Sequence, residues 1–211
     1  STSLITGSFF KDGDFIYNSI INVSEKFNNV YNKEHLVPFG EFLPFKNMLG
    51  TIYDFIGLNI YDIKKGNTIK SLKIKNYIAH SLICYESIFS FESLITNKDT
   101  DFILNVSNDG WFGDNSLAPY QHLDALVMRS LENQRYSIRS TNTGISAVIA
   151  PNGTIESFIK YNKSGIINKV IYARNGQTPI SKYGSDILYS LLFTVFLYST
   201  IYFNFRSFRR L

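Results

Sequence analysis

Residues 78–86 read IAHSLICYE, and whether that run is a strand or a helix decides the kind of protein this is. The run Ile78–Cys84 is short and apolar, with no helical period, and it leads directly into a helical pattern over Ser87–Thr96. A strand passing at once into a helix is the junction from which α/β folds are built, and such folds present reactive groups at the carboxyl ends of their strands. Cys84 stands at that end and is the only cysteine of the 211 residues, so no internal disulfide can form. A helix N-terminus behind it would stabilise the nucleophilic thiolate. The local sequence equally admits a buried, unreactive cysteine.

Working outward, β-branched and aromatic runs at Ser3–Phe10 and Phe15–Val23 flank Lys11-Asp12-Gly13-Asp14, a hairpin composition. Further strands are expected at Leu72–Asn76, Phe102–Val106, Tyr136–Ser140, Ser146–Ala150 and Ile166–Tyr172, with a turn at Pro151-Asn152-Gly153. Helical patterns cover Leu43–Ile56 and Pro119–Asn133, where Leu123, Leu126, Val127 and Leu131 share a face. Strands alternating with helices predict a layered α/β domain whose sheets are covered.

Composition adds a second part. Apolar residues make up 45% of the chain and charged ones 18%, with a mean hydropathy of -0.04 and a net charge of +4, values of an ordinary globular domain. Arg206, Arg209 and Arg210 carry most of that excess, leaving residues 1–205 nearly neutral and without the dense basic face that nucleic-acid binding requires. Before them, 187–205 (ILYSLLFTVFLYSTIYFNF) holds no charge and would extend about 28 Å as a helix. Tyrosines at 189, 198 and 202 and the arginines behind them fit a transmembrane helix with a cytoplasmic C-terminus, and a buried C-terminal helix is the alternative. The expected organisation is a domain over 1–173, a tether over 174–186, the span over 187–205 and a basic tail over 206–211. The opening at Ser1 shows no leader, and the domain reads as incomplete at its N-terminus.

Three more segments could carry chemistry. Residues 31–45, YNKEHLVPFGEFLPF, form a loop whose apolar residues would pack it down. Within it, Lys33 could stabilise a thiolate or an oxyanion and Glu41 could orient that lysine; both could also be plain surface charges. Residues 105–113, NVSNDGWFG, follow a strand and hold Trp111, either a lid over a substrate or a residue packed on the core. The polar groups of RSTNTG at 139–144 are expected to satisfy backbone. His35, His80 and His122 are scattered, with neither metal-site spacing nor acidic companions, so no metal is expected.

Taken in order, YNKEHLVPFGEFLPF, ICYE, NVSNDGWFG with PYQH, and RSTNTGISAVIAPNG resemble the nitrilase-type catalytic domain of the bacterial apolipoprotein N-acyltransferases, within the wider carbon-nitrogen hydrolase superfamily. The resemblance runs over residues 1 to about 172 and extends to the last transmembrane helix. It implies an αββα sandwich and no cofactor. By this resemblance Cys84 is the nucleophile that takes an acyl chain from phospholipid as a thioester, and Lys33 stabilises the tetrahedral intermediate. Glu41, Tyr85, Glu86 and Trp111 match positions around the active site. The acceptor would be the N-terminal amine of a diacylglyceryl-cysteine lipoprotein, at the periplasmic face of the inner membrane.

One departure matters. The family's general-base glutamate belongs to a Trp-Pro-Glu motif, and no such motif occurs in this sequence. Neither Glu41 nor Glu86 takes its place, because each matches a different position. The chain as written is expected to be inactive alone, with a transmembrane portion and the base encoded upstream. Two alternatives stay open: a membrane-anchored amidase or nitrilase-like hydrolase, and a non-catalytic scaffold remnant.

Overall fold

The computed structural model describes residues 2–25, 29–57, 62–67, 70–113 and 116–208, with the side chains of the last helix described through Tyr202. Two sheets are stacked. The first runs β1 (Ile5–Asp12), β2 (Phe15–Asn22) and β3 (Val30–Asn32), all antiparallel. Gly13 makes the β1–β2 hairpin possible: its φ of 57° supplies the left-handed turn that matches the twist of the two strands.

The second sheet has the order β4 (Ser71–Ile74), β5 (Tyr77–Ile83), β6 (Phe102–Ser107), β7 (Ser137–Thr141), β8 (Ser146–Ile149) and β9 (Ile155–Ile159). Its centre, β5 to β7, is parallel and its flanks are antiparallel. Buried on both faces, the central strands are the near-continuous apolar runs of the sequence. One face meets the first sheet: Ile20 and Tyr31 pack against Leu72, Ala79, Ile83 and Leu104. The other packs Leu82, Ile103 and Ala147 against Leu123 and Leu126 of α2 (Ala118–Asn133), the crossover from β6 to β7. The described layers are therefore sheet, sheet and helix.

Helix α2 begins with Pro119 in its first turn and ends on Gln134, whose φ of 53° closes it. Its expected apolar face is only half right. Leu131 is exposed, while the buried stripe is completed by His122, Arg129, Ser130 and Asn133. Asn133 explains its own place: it accepts from the Ile95 amide and donates to the Ser93 and Arg129 carbonyls.

Other expectations shift. The helix expected over Leu43–Ile56 is shorter, α1 (Lys46–Phe55). Residues 87–96 form no α-helix but two 3₁₀ turns, Cys84–Ile88 and Phe91–Ser93, because local side-chain bonds take the backbone groups a helix would use. The Glu86 carboxylate holds the Ile83 amide and the Ser93 hydroxyl holds the Glu86 carbonyl. The strand expected at Ile166–Tyr172 does not form, and Ile166 is 95% exposed. The turn at 151–153 instead folds β9 back on β8, taking that edge.

Residues 174–184 lie against the domain. The Gly176 amide donates to the Lys98 carbonyl, Arg135 to the Gly176 carbonyl, and Thr178 to the Glu132 carbonyl while capping α3 (Pro179–Tyr183). The final helix, α4 (Asp186–Phe208), presents exposed apolar side chains such as Leu191, Phe193 and Phe196. Among the described residues, no helix is long and apolar enough to cross a membrane, so the span expected over 187–205 is not met within them.

Leu126 is fully buried between α2 and the sheet, so Leu126→Ala is expected to cost about 2–5 kcal/mol in urea unfolding. Ile166→Ala, outside any strand, is expected to stay within about 0.5 kcal/mol. A second outcome concerns pH. Burial, helped by the Lys70 charge, pushes His80 down to about 3, so the folded protein keeps it neutral where the unfolded chain, near 6.5, protonates. Stability contributed by neutral His80 is complete above about pH 6.5 and is lost as the pH falls toward 3. His80→Gln should flatten the pH dependence of the unfolding free energy in that window.

Candidate active site

Cys84 sits where β5 ends and the first 3₁₀ turn begins, half-buried, with a φ of 51°. That left-handed backbone is costly for a residue with a side chain and persists only where the surroundings enforce it. The enforcing group is the fully buried Glu86. Its Oε2 accepts from the Ile83 amide at 2.7 Å, bending the chain around Cys84. Its Oε1 accepts from the amides of Glu34 and His35 at 2.8 and 3.0 Å, and the Tyr31 hydroxyl donates to both oxygens. Burial, reinforced by the Glu86 charge, pushes the Tyr31 phenol well above its usual range, so it remains a donor.

The same carboxylate thus ties the turn at Cys84 to the chain on either side of Lys33. Lys33 is buried and forms an ion pair with Glu41 Oε2 at 2.7 Å. Glu41 is in turn held by the Val37 amide on Oε2 and by Asn18 on Oε1. Glu41 and Glu86, read from the sequence as active-site support, have both oxygens engaged. Tyr85 is on the exposed side of the turn, beside Phe89 and His35. Trp111 is 77% exposed on the 3₁₀ turn Asp109–Phe112, so it does not pack on the core.

A second polar group converges on Cys84, and its members are scattered along the sequence. Asp109, fully buried, accepts from Ser107 at 2.6 Å and from His122 Nδ1 at 3.2 Å on Oδ1, and from Arg139 at 2.8 Å on Oδ2. Burial opposes its charge, but the bonds from His122 and Ser107 and the Arg139 charge outweigh it and hold its carboxyl below the usual range. Arg139, expected to satisfy backbone, does so at the Ile145 carbonyl and also holds Asn105 and Asp109. Asn105 and Ser107 alternate along β6, which puts both on one face, and Asp109 follows in the next turn. That period-2 polar pattern was the available signal.

The Cys84 thiol, an Asp109 oxygen and a His122 ring nitrogen lie within 4.8 Å of one another. Among the described residues this is the one convergence of cation-binding atoms. Asp109 is already committed to three donors, with a guanidinium against it, which leaves fewer free donors than the three that a catalytic zinc takes.

A carbon-nitrogen hydrolase family model matches residues 2–180. The apolipoprotein N-acyltransferase of Wigglesworthia glossinidia brevipalpis is 38% identical over 190 residues, covering 86% of this chain and 38% of its own length. That of Pasteurella multocida is 38% identical over 202 residues, covering 90% and 38%. The chain thus spans about two fifths of the length of these relatives. Among solved structures, the carbon-nitrogen hydrolase of Helicobacter pylori G27 superposes with a TM-score of 0.58 at 12% identity, over 77% of this chain and 59% of that one. An amidase from Nesterenkonia sp. gives 0.58 at 14%, over 90% and 66%. At those identities the likeness is one of fold, the nitrilase-like α/β fold.

Glu86→Gln should unfasten the site, because an amide group would face the donors that its Oε2 now receives. The expected cost is at least about 2 kcal/mol in denaturant unfolding. Hydrogen exchange should accelerate at the amides of Ile83, Glu34 and His35 before it does in the strands of the core.

Proposed function

The chain belongs to the carbon-nitrogen hydrolase family, and within it we propose that it is the catalytic domain of an N-acyltransferase of lipoprotein maturation. One observation carries this reading: Cys84 is held at a strained strand end and tied through Glu86 to the buried Lys33, in a chain 38% identical to relatives named apolipoprotein N-acyltransferase.

In the proposed reaction, the Cys84 sulfur attacks an ester carbonyl of a phospholipid. A carbon–sulfur bond forms, the carbon–oxygen bond to glycerol breaks, and lysophospholipid leaves. The amine of a diacylglyceryl-cysteine lipoprotein then attacks the thioester, forming the amide and releasing the sulfur. Lys33, fixed by Glu41, supplies the positive charge for the oxyanion that develops in both halves. Glu86 and Tyr31 act by position, and Tyr85 and Trp111 offer exposed aromatic surface to the acyl chains.

Both substrates carry lipid, so the site must work at a membrane surface. The uncharged run over 187–205, with Arg206, Arg209 and Arg210 behind it, supports the reading of an anchor with its C-terminus in the cytoplasm and the domain at the periplasmic face.

When membranes containing the full-length parent gene product are incubated with phospholipid, mass spectrometry is expected to find an acyl adduct on Cys84. Cys84→Ala should abolish it, and Lys33→Ala should slow its formation about 10²–10³-fold. A folded protein that acquires no adduct, yet releases ammonia from small amides, would replace the acyltransferase reading with a hydrolase.

A further inference from the structure

Most of the segment read from the sequence as a tether, residues 174–184, is fastened to the domain. The amides of Arg174 and Gly176 donate to the carbonyls of Asp101 and Lys98, the Gln177 side chain to the Thr96 carbonyl, and the Thr178 hydroxyl to the Glu132 carbonyl. Helix α3 follows at once, capped by Thr178, and only Gly184 and Ser185 stand between it and α4.

Arg135 is the centre of this fastening. It is 3% exposed, and its guanidinium donates to four carbonyls on three pieces of chain: Asn133 and Gln134 at the end of α2, at 3.2 and 3.3 Å, Thr100 before β6 at 2.8 Å, and Gly176 at 2.7 Å. The unpaired carbonyls of a helix C-terminus favour a cation, and a planar fork reaches all three pieces where an ammonium would not. The pieces it joins also hold the turn that carries the thiol. Asn133 accepts from the Ile95 amide and donates to the Ser93 carbonyl, the Ser93 hydroxyl donates to the Glu86 carbonyl, and the Ser90 hydroxyl donates to the Glu132 carboxylate. A continuous run of bonds thus leads from Gly176 through the end of α2 to Glu86, in the same turn as Cys84. At the other end, Leu191, Leu192 and Phe193 of α4 point to three sides of the helix, and each is more than half exposed.

We propose that residues 174–184 form a rigid bracket, pinned by Arg135, that holds α4 at a fixed angle to the Cys84 turn and so keeps the thiol facing lipid-borne substrates at the membrane surface. Arg135 is then a positioning residue. The proposal rests on the reading of residues 187–205 as a membrane anchor. A free chain over 174–186 would scatter its ends by about 20 Å, enough for the domain to turn the thiol away from the bilayer. Removing that freedom in advance raises the effective concentration of lipid at the thiol.

The test places a nitroxide on Cys84, the only cysteine, in the chain reconstituted into phosphatidylethanolamine–phosphatidylglycerol vesicles, where relaxation of the lipid ³¹P signal reports how closely the thiol keeps to the headgroups. Inserting Gly-Ser-Gly-Ser between Gly184 and Ser185 leaves every Arg135 bond in place and frees the domain from α4. The relaxation enhancement is expected to fall at least about threefold in that variant. Alkylation of the unlabelled thiol by aqueous iodoacetamide is expected to stay within about twofold, because the turn itself is untouched. Folded Arg135→Gln, with two donors on a shorter arm, should lower the enhancement in the same direction and speed hydrogen exchange at the amides of Arg174 and Gly176. If Arg135→Gln fails to fold, the insertion variant decides.

No enhancement in the unsubstituted chain, or an enhancement that the insertion leaves unchanged, would overturn the bracket. A loss on insertion with no change in folded Arg135→Gln would overturn the part given to Arg135. In the full-length parent gene product, the insertion should slow acylation of Cys84 by bilayer phospholipid about tenfold. Equal acylation with and without the insertion would leave the acyltransferase reading in place and remove the bracket. The expected ³¹P result with no acyl adduct on the unsubstituted protein would do the reverse.

Discussion

The buried carboxylate of Glu86 is the interaction on which the site depends. It spans three separate pieces of chain: the end of β5 at Ile83, the start of the loop at Glu34 and His35, and Tyr31 on β3 of the other sheet. A carboxylate in such a place would be expensive without partners, and here every lone-pair direction in use is met by an amide or a hydroxyl. The same bonds impose the left-handed backbone at Cys84, so the strain at the thiol and the joining of the two sheets have one cause.

Glu86 links the Cys84 turn to one polar group, and the thiol itself lies within 4.8 Å of a second, of opposite construction. On the loop side, Lys33 and Glu41 form an ion pair fixed by backbone and by Asn18, a rigid positive charge. On the strand side, Arg139 and Asp109 form a fully buried pair to which His122 and Ser107 are added. Close packing enforces the second group. A Cβ on Gly144 would come within 2.0 Å of Asp109 Oδ2, so only glycine lets the carboxylate stand where Arg139 and His122 both reach it.

The sequence displayed the apolar half of this arrangement and concealed the polar half. Strands β5 and β6 were legible because sheets buried on both faces need unbroken aliphatic runs, and the hairpin at Gly13 was legible from its turn chemistry. The segment after Cys84 was misread because its periodicity is helical, whereas Glu86 and Ser93 hydrogen-bond the backbone locally and override it. Ile166–Tyr172 was misread because a β-branched run does not pair by composition alone: Ile166 and Val170 are exposed there, and the turn at 151–153 leads instead into β9. Cys84 and Glu86 stood out because they share one short motif, and Lys33 and Glu41 because they share another. Asp109, His122 and Arg139 come from three elements, and nothing in a linear pattern says that the parallel register of β6 and β7 sets Asn105 beside Arg139.

Buried ion pairs seldom repay their desolvation, and an apolar core of the same volume would be at least as stable. Among the described residues the fold carries such pairs at Lys33–Glu41, Arg139–Asp109 and Arg129–Glu132, together with the fully buried Glu86. The two apolar clusters, with Ile20 and Leu72 in one and Ile103 and Leu126 in the other, hold no charge, while Lys70, Arg129 and Arg135 are buried elsewhere. On the proposed reading, such charges gain a use where the Cys84 sulfur becomes a thiolate or an acyl carbonyl becomes an oxyanion. Pre-oriented dipoles and ions then stabilise the new charge with no reorganisation at the moment it forms.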